Sequence, residues 1–192
     1  MVNIAKPRLV LASRSPRRKE LLESEGFEVE VAPPTCNEVL PEDETDHHRI
    51  ASILAFRKAR SAWLGRNEGI ILGADTITVL NGEILGKPED AADASRILKK
   101  LAGTRHSVIT GICLINAATG EVVYGSDETG VEMKKMTDAE IEEYVATGES
   151  FGASGAYKIQ ESGDRFVENI EGSFSNVVGL PVEVVRELLK RL

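Results

Sequence analysis

Leu9-Val10-Leu11-Ala12 is an apolar run that reads as a buried strand, and Ser15-Pro16 follows almost at once as a helix start. The chain is thus committed early to a strand–loop–helix unit, with the helix running through Leu21 and Leu22 and stopping at Gly26. The charges in that unit are oddly placed. Arg17, Arg18 and Lys19 crowd the first helical turn, where the helix dipole is already positive and carboxylates are preferred. A dense anion at that end resolves the conflict, because free helical N–H groups, Arg17 and Arg18 would converge on the same phosphate oxygens. The "ASRSP" loop also leaves the carboxyl end of a strand, where open α/β sheets bind ligands. The alternative is a solvated basic turn paired with Glu20 and Glu23. The dipole penalty favours the anion site.

The rest of the chain alternates strands and helices and then adds hairpins. Val29-Glu30-Val31 reads as a short strand, and a helix is expected from about Asp46 to Leu64, closed by Gly65. "GIILGAD" continues into "TITVLNGEIL", with Asn81-Gly82 as a hairpin signal. A helix to Leu101 comes next, then strands over Ser107 to Asn116 and Val122 to Met133. Thr137 and Glu140 form a capping box for a helix ending near Gly148. A strand around Phe166-Val167 and a C-terminal helix opened by "VVGLP" complete the pattern. This order predicts a mixed-sheet α/β or α+β protein. No linker divides its 192 residues, which suit one domain or two lobes sharing a sheet.

Composition narrows the function. A net charge of −8 argues against binding along a nucleic-acid backbone. There is no apolar signal-peptide core or bilayer-length run, so a cytoplasmic protein with no membrane partner is expected. Cys36 and Cys113 are too few for a disulfide framework or a structural zinc site.

Asp75 follows the apolar strand Ile70-Ile71-Leu72, which sets a carboxylate at a strand end. Such a group can bind magnesium or manganese or take a proton from an attacking water; capping a turn is the equally weighted alternative. Aspartate is a weak base near neutrality, so help from a metal or from its surroundings would be needed. Lys87 in "GKPED" can reach phosphate or simply be an exposed loop lysine. Lys58 reads as a surface residue by periodicity, Glu38 has no evident partner, and the adjacent His47 and His48 face different ways on a helix. Neither a phosphate-binding G-x-x-x-x-G-K-[ST] loop nor a G-x-S-x-G elbow is present. The residues alone thus point to a metal-assisted phosphate-ligand protein.

Taken in order, "LASRSPRRKELL", Asn37-Glu38, Arg57-Lys58-Ala59, "GADT", "NGEILGKP", "HSVITG", "GAYKIQ" and "NVVGLP" resemble the Maf family of nucleotide pyrophosphatases. The resemblance covers nearly the whole chain and implies one Maf-like domain over residues 1–192. The implied fold is α/β with a mixed sheet, elongated and two-lobed around a central cleft, akin to inosine triphosphate pyrophosphatases. It implies hydrolysis of a nucleoside triphosphate to the monophosphate and diphosphate with a divalent cation, magnesium or manganese. By position, Asp75 would be the proton acceptor and share the metal with Glu38, while Ser13, Arg18, Lys58 and Lys87 would line the triphosphate path. Arg17, Thr76 and Gln160 match the subgroup that prefers dTTP and UTP, with modified pyrimidine nucleotides as further candidates. A nucleotide-binding regulator of cell division with little catalysis is the competing reading, and a homodimer is the implied assembly. Two positions depart from the family's "KAGAYGIQ": Ala153 stands at the lysine and Lys158 at the glycine before Ile159. They leave the phosphate contacts of that loop open.

Overall fold

A computed structural model describes residues 8–192; the first seven residues of the expected 1–192 domain lie outside the described residues. Seven strands and six α-helices follow one another as β1 Arg8–Ala12, α1 Pro16–Ser24, β2 Glu28–Val31, α2 His47–Trp63, β3 Ile70–Leu80, β4 Glu83–Leu85, α3 Ala91–Leu101, β5 Arg105–Asn116, β6 Val122–Met133, α4 Asp138–Ala146, β7 Val167–Glu171, α5 Phe174–Val178 and α6 Val182–Leu189 among the described residues. The strands form one sheet in the order β2-β1-β3-β5-β6-β7, with β4 paired to β3. β1 runs parallel to both β2 and β3, whereas the β3–β4 and β6–β7 pairs are antiparallel. The sheet is therefore mixed, as the alternation followed by hairpins predicts.

The chain divides into two compact units. The first runs up to Asp75 and adds Thr110–Asp127 and Gly179–Leu192; the second comprises Thr76–Ile109 and Glu128–Val178. In the first unit both sheet faces are covered. Leu9, Leu11, Leu72, Ala74, Ile112 and Leu114 pack with Leu22 of α1 and with Val182, Val185 and Leu188 of α6. On the opposite face Val10, Ala12, Ile71, Cys113 and Ile115 pack with Ala55, Ala59 and Ala62 of α2. Burial on both faces accounts for the unbroken apolar runs in β1 and β3.

The α2 face is unusually close to the sheet. A Cβ on Gly73 would lie 2.1 Å from the Ala55 carbonyl oxygen and 2.7 Å from the Ala59 nitrogen. A Cβ on Gly111 would lie 2.3 Å from the Ala51 carbonyl carbon. Two side-chain-free strand positions against an alanine stripe let the helix backbone settle directly on the strands. In the second unit the Asn81-Gly82 hairpin forms with both residues at positive φ (51° and 84°), the geometry of a type I′ turn. There α3 buries Ala94, Ile97, Leu98 and Leu101, and α4 carries the Thr137–Glu140 capping box.

Two expectations are modified. Ser15 occupies the N-cap of α1 but makes no side-chain cap; its N–H instead donates to the Ser13 hydroxyl at 3.1 Å. Val177 and Val178 of "VVGLP" close the short helix α5, and the last helix begins after Pro181, which presets the backbone ahead of it.

Candidate active site

The first unit brings two of the expected residues, Asp75 and Glu38, to the buried ammonium of a third, Lys58. Alternation along β3 sends Leu72 and Ala74 to the α1/α6 face, so Gly73 and Asp75 face α2. Lys58 lies between Ala55 and Ala59 in sequence, on the helix that Gly73 allows to approach. Its side chain is only 6% exposed, and its Nζ donates to Oδ1 of Asp75 and lies 2.9 Å from Oε1 of Glu38. The surface position expected from periodicity is therefore wrong for Lys58. A hydrophobic pattern registers an apolar stripe and has no means of registering a lysine buried by two carboxylates.

Arg18 is also interior, and its use answers part of the puzzle of the basic helix start. Its Nε donates to the Gly179 carbonyl at 2.8 Å and its Nη1 donates to the Ala74 carbonyl at 2.7 Å, with the Ser13 hydroxyl at 3.4 Å. Burial pulls the guanidinium below the usual arginine range, and the nearby charges of Asp75 and Glu38 oppose that shift. The first turn of α1 is thus fastened to the strand residue preceding Asp75. Lys19 behaves differently: it pairs with Glu23 one turn on, at 3.4 Å. The solvated-turn alternative holds for Lys19 and fails for the buried Arg18. Arg17, half-buried, completes the cationic turn and adds to the charge around Arg18.

Thr76, Lys87 and Gln160 belong to the second unit. Thr76 continues β3, Lys87 is exposed in the loop between β4 and α3, and Gln160 is exposed in a turn closed by the Glu161 N–H to the Lys158 carbonyl, 3.2 Å. Ser154 ties their segments together. Its hydroxyl donates to the Leu85 carbonyl (2.7 Å) and accepts from the Thr78 N–H (2.9 Å), while the Gly155 N–H reaches the Gly86 carbonyl at 3.2 Å. Neither Ser154 nor His106 carries a role in the sequence reading; His106 opens the "HSVITG" motif without being distinguished in it, and Ser154 lies one residue before "GAYKIQ". Lys158, one of the two departures, pairs with Glu161 at 3.5 Å, and Ala153 is buried.

His106 is 3% exposed, and burial alone pushes its imidazole down to about 4. Its folded pKa lies below its unfolded one, so the unfolded chain takes up the proton first and stability falls as pH drops from about 6.5 toward 4. Between pH 7 and pH 5 this group is expected to remove about 2 kcal/mol of stability. Urea unfolding at the two pH values checks this: His106→Gln should flatten the dependence, and an unchanged slope would refute it.

The geometry defines a class: a mixed α/β protein with a lysine, an arginine and two carboxylates clustered about the middle of β3. Asp75 lies within that strand and not at the strand end expected, because β3 runs on through residues 78–80 to pair with β4. The sequence profile of the Maf-like protein family matches residues 8–192, and the chain belongs to that family. A protein named dTTP/UTP pyrophosphatase from Bdellovibrio bacteriovorus is 44% identical, covering 97% of this chain and 99% of that one. Another of the same name from Desulfitobacterium hafniense is 48% identical over 94% of this chain and 83% of its own. Among solved structures, the Ham1 protein of Staphylococcus aureus is similar at 18% identity and a TM-score of 0.47, covering 66% of this chain and 71% of that one. No helix among the described residues is long and apolar enough to cross a membrane.

Proposed function

We propose that this chain hydrolyses dTTP and UTP to the nucleoside monophosphate and diphosphate. The observation that carries the reading is the convergence of Lys58, Asp75 and Glu38, with Arg18 fastened beside them through Ala74. Proteins named for this activity share 44–48% of their residues with the chain. In the reaction, a water oxygen bonds to the α-phosphorus as the Pα–O–Pβ link breaks, and diphosphate leaves with the bonding electron pair. Asp75 takes the water's proton. Lys58 holds Oδ1, which fixes the carboxylate and directs Oδ2 to that task. Lys58, Arg18 and Lys87 stabilise the charge that gathers on the leaving diphosphate, and Ser13 donates to the phosphate chain.

Asp75 and Glu38 fit a divalent cation, because their oxygens already share one positive group. Among the described residues no cluster of three or more His, Cys, Asp or Glu side chains could hold a metal. Magnesium and manganese accept one or two carboxylates when substrate phosphates and waters complete the shell. Bound there, the cation would neutralise phosphate charge. Arg17, Thr76 and Gln160 select the base; the Gln160 amide offers a donor and an acceptor to the carbonyl–imide edge shared by thymine and uracil.

Incubating the protein with magnesium and dTTP should give dTMP and diphosphate in equal amounts. Orthophosphate as the first product would overturn the assigned bond cleavage. A panel of dTTP, UTP, 5-methyl-UTP and dCTP then ranks the bases by kcat/KM.

A further inference from the structure

We infer that His106, acting through the hydroxyl of Tyr157, is a positioning residue that sets the Gln160 turn and with it the discrimination between bases; this rests on Gln160 reading the base as proposed above. His106 Nε2 lies 2.9 Å from Tyr157 Oη, and the two rings meet edge to face at 5.6 Å and 82°. Both side chains are buried, and the imidazole is neutral at physiological pH because burial disfavours its charge. Tyr157 is three residues from Gln160, and the backbone just before it is forced. Gly155 and Ala156 are both left-handed, at φ 77° and 59°.

A glycine tolerates that region, but alanine pays about 1 kcal/mol for its Cβ there. Such a conformation persists only where its surroundings over-determine it. Upstream, Ser154 is fixed to Thr78 and Leu85. A Cβ on Gly155 would meet the Thr78 hydroxyl at 2.9 Å, so a larger residue there would displace the Thr78 side chain as well as strain the backbone. Downstream, the Lys158 N–H donates to the hydroxyl of the fully buried Tyr144 at 3.0 Å. The His106–Tyr157 bond is the side-chain tie between these two anchors. Without it the turn keeps its ends but loses the restraint on the angle at which Gln160 leaves it. A site that discriminates by hydrogen bonding depends on such placement, because a misdirected amide no longer penalises the wrong base.

The test measures kcat/KM for dTTP and dCTP in the intact protein and in the Tyr157→Phe, His106→Gln, His106→Leu and Gln160→Ala variants. Tyr157→Phe should lower the dTTP-over-dCTP ratio about fivefold or more, chiefly through the KM for dTTP. His106→Gln keeps a nitrogen donor near the Nε2 position and should retain more of the ratio than His106→Leu. In a Gln160→Ala background, Tyr157→Phe should change the ratio no further, since both act on one contact. If Gln160→Ala loses the ratio while Tyr157→Phe keeps it, the positioning role falls and the base-reading assignment stands. If Gln160→Ala keeps the ratio, Gln160 does not read the base and both fall. A Tyr157→Phe protein that melts earlier with an unchanged ratio would make the pair structural and overturn the inference.

Discussion

Asp75→Asn is expected to lower kcat for dTTP by a factor of roughly 10² to 10⁴, the range spanned by removal of a positioned general base. Asparagine keeps the shape of the side chain, and its amide oxygen can still accept from Lys58 Nζ, so the α2–β3 contact survives. Lys58 also retains Glu38 at 2.9 Å as a counter-charge, so the substitution does not strand a buried ammonium. The loss should therefore appear in turnover more than in stability. Diphosphate release under saturating dTTP checks the first part, and a melting curve checks the second. A folded Asp75→Asn protein with more than about a tenth of the original kcat would remove Asp75 from the role of proton acceptor. Asp75→Glu is informative beside it, because the longer carboxylate keeps the charge while displacing the oxygen that faces the water.

Much of this arrangement was legible in the residues, and the parts that were not share a physical cause. β1, α1, β3 and the Asn81-Gly82 hairpin follow from apolar runs, a proline at the first helical position and a turn dipeptide, all of them local signals. Asp75 was recognisable because a carboxylate in an otherwise apolar run is out of place, although it lies inside β3 and not at the strand end that the run Ile70-Ile71-Leu72 suggested. Lys58 was marked by the family resemblance alone, and its burial was not recognisable from periodicity. Its burial depends on Gly73 and Ala55 allowing α2 to approach β3, and on Glu38 arriving from a loop 20 residues earlier in the chain. The role of Arg18 was half visible: the dipole conflict identified the turn, but its acceptors are the carbonyls of Ala74 and Gly179, and backbone carbonyls carry no sequence signal. His106 and Ser154 were hidden for the same reason, since their partners lie 51 and 69 residues away in the chain. Long-range polar contacts are therefore the layer that the sequence left unread.

Lys58→Met should destabilise the protein by about 3 kcal/mol, the lower end of the range for breaking a buried ion pair from one side. Methionine fills much of the volume left by the lysine stem, so the loss is electrostatic rather than a cavity effect. Asp75 would remain buried with its cation gone, whereas Glu38, whose side chain is 46% exposed, can turn to water. Arg18 moderates the penalty because its charge already acts on both carboxylates. The decisive comparison is the double variant. If the cost arises from a stranded carboxylate, Lys58→Met/Asp75→Asn should be more stable than Lys58→Met alone, although it carries one more substitution. A steric or helix-propensity origin predicts the reverse, with the two losses adding. Urea unfolding of the four proteins supplies the cycle. Both lysine variants should also fail to release diphosphate from dTTP, because the group that fixes Asp75 is the one proposed to meet the phosphate. An active Lys58→Met protein would separate those two roles and leave the ion pair with a structural one alone.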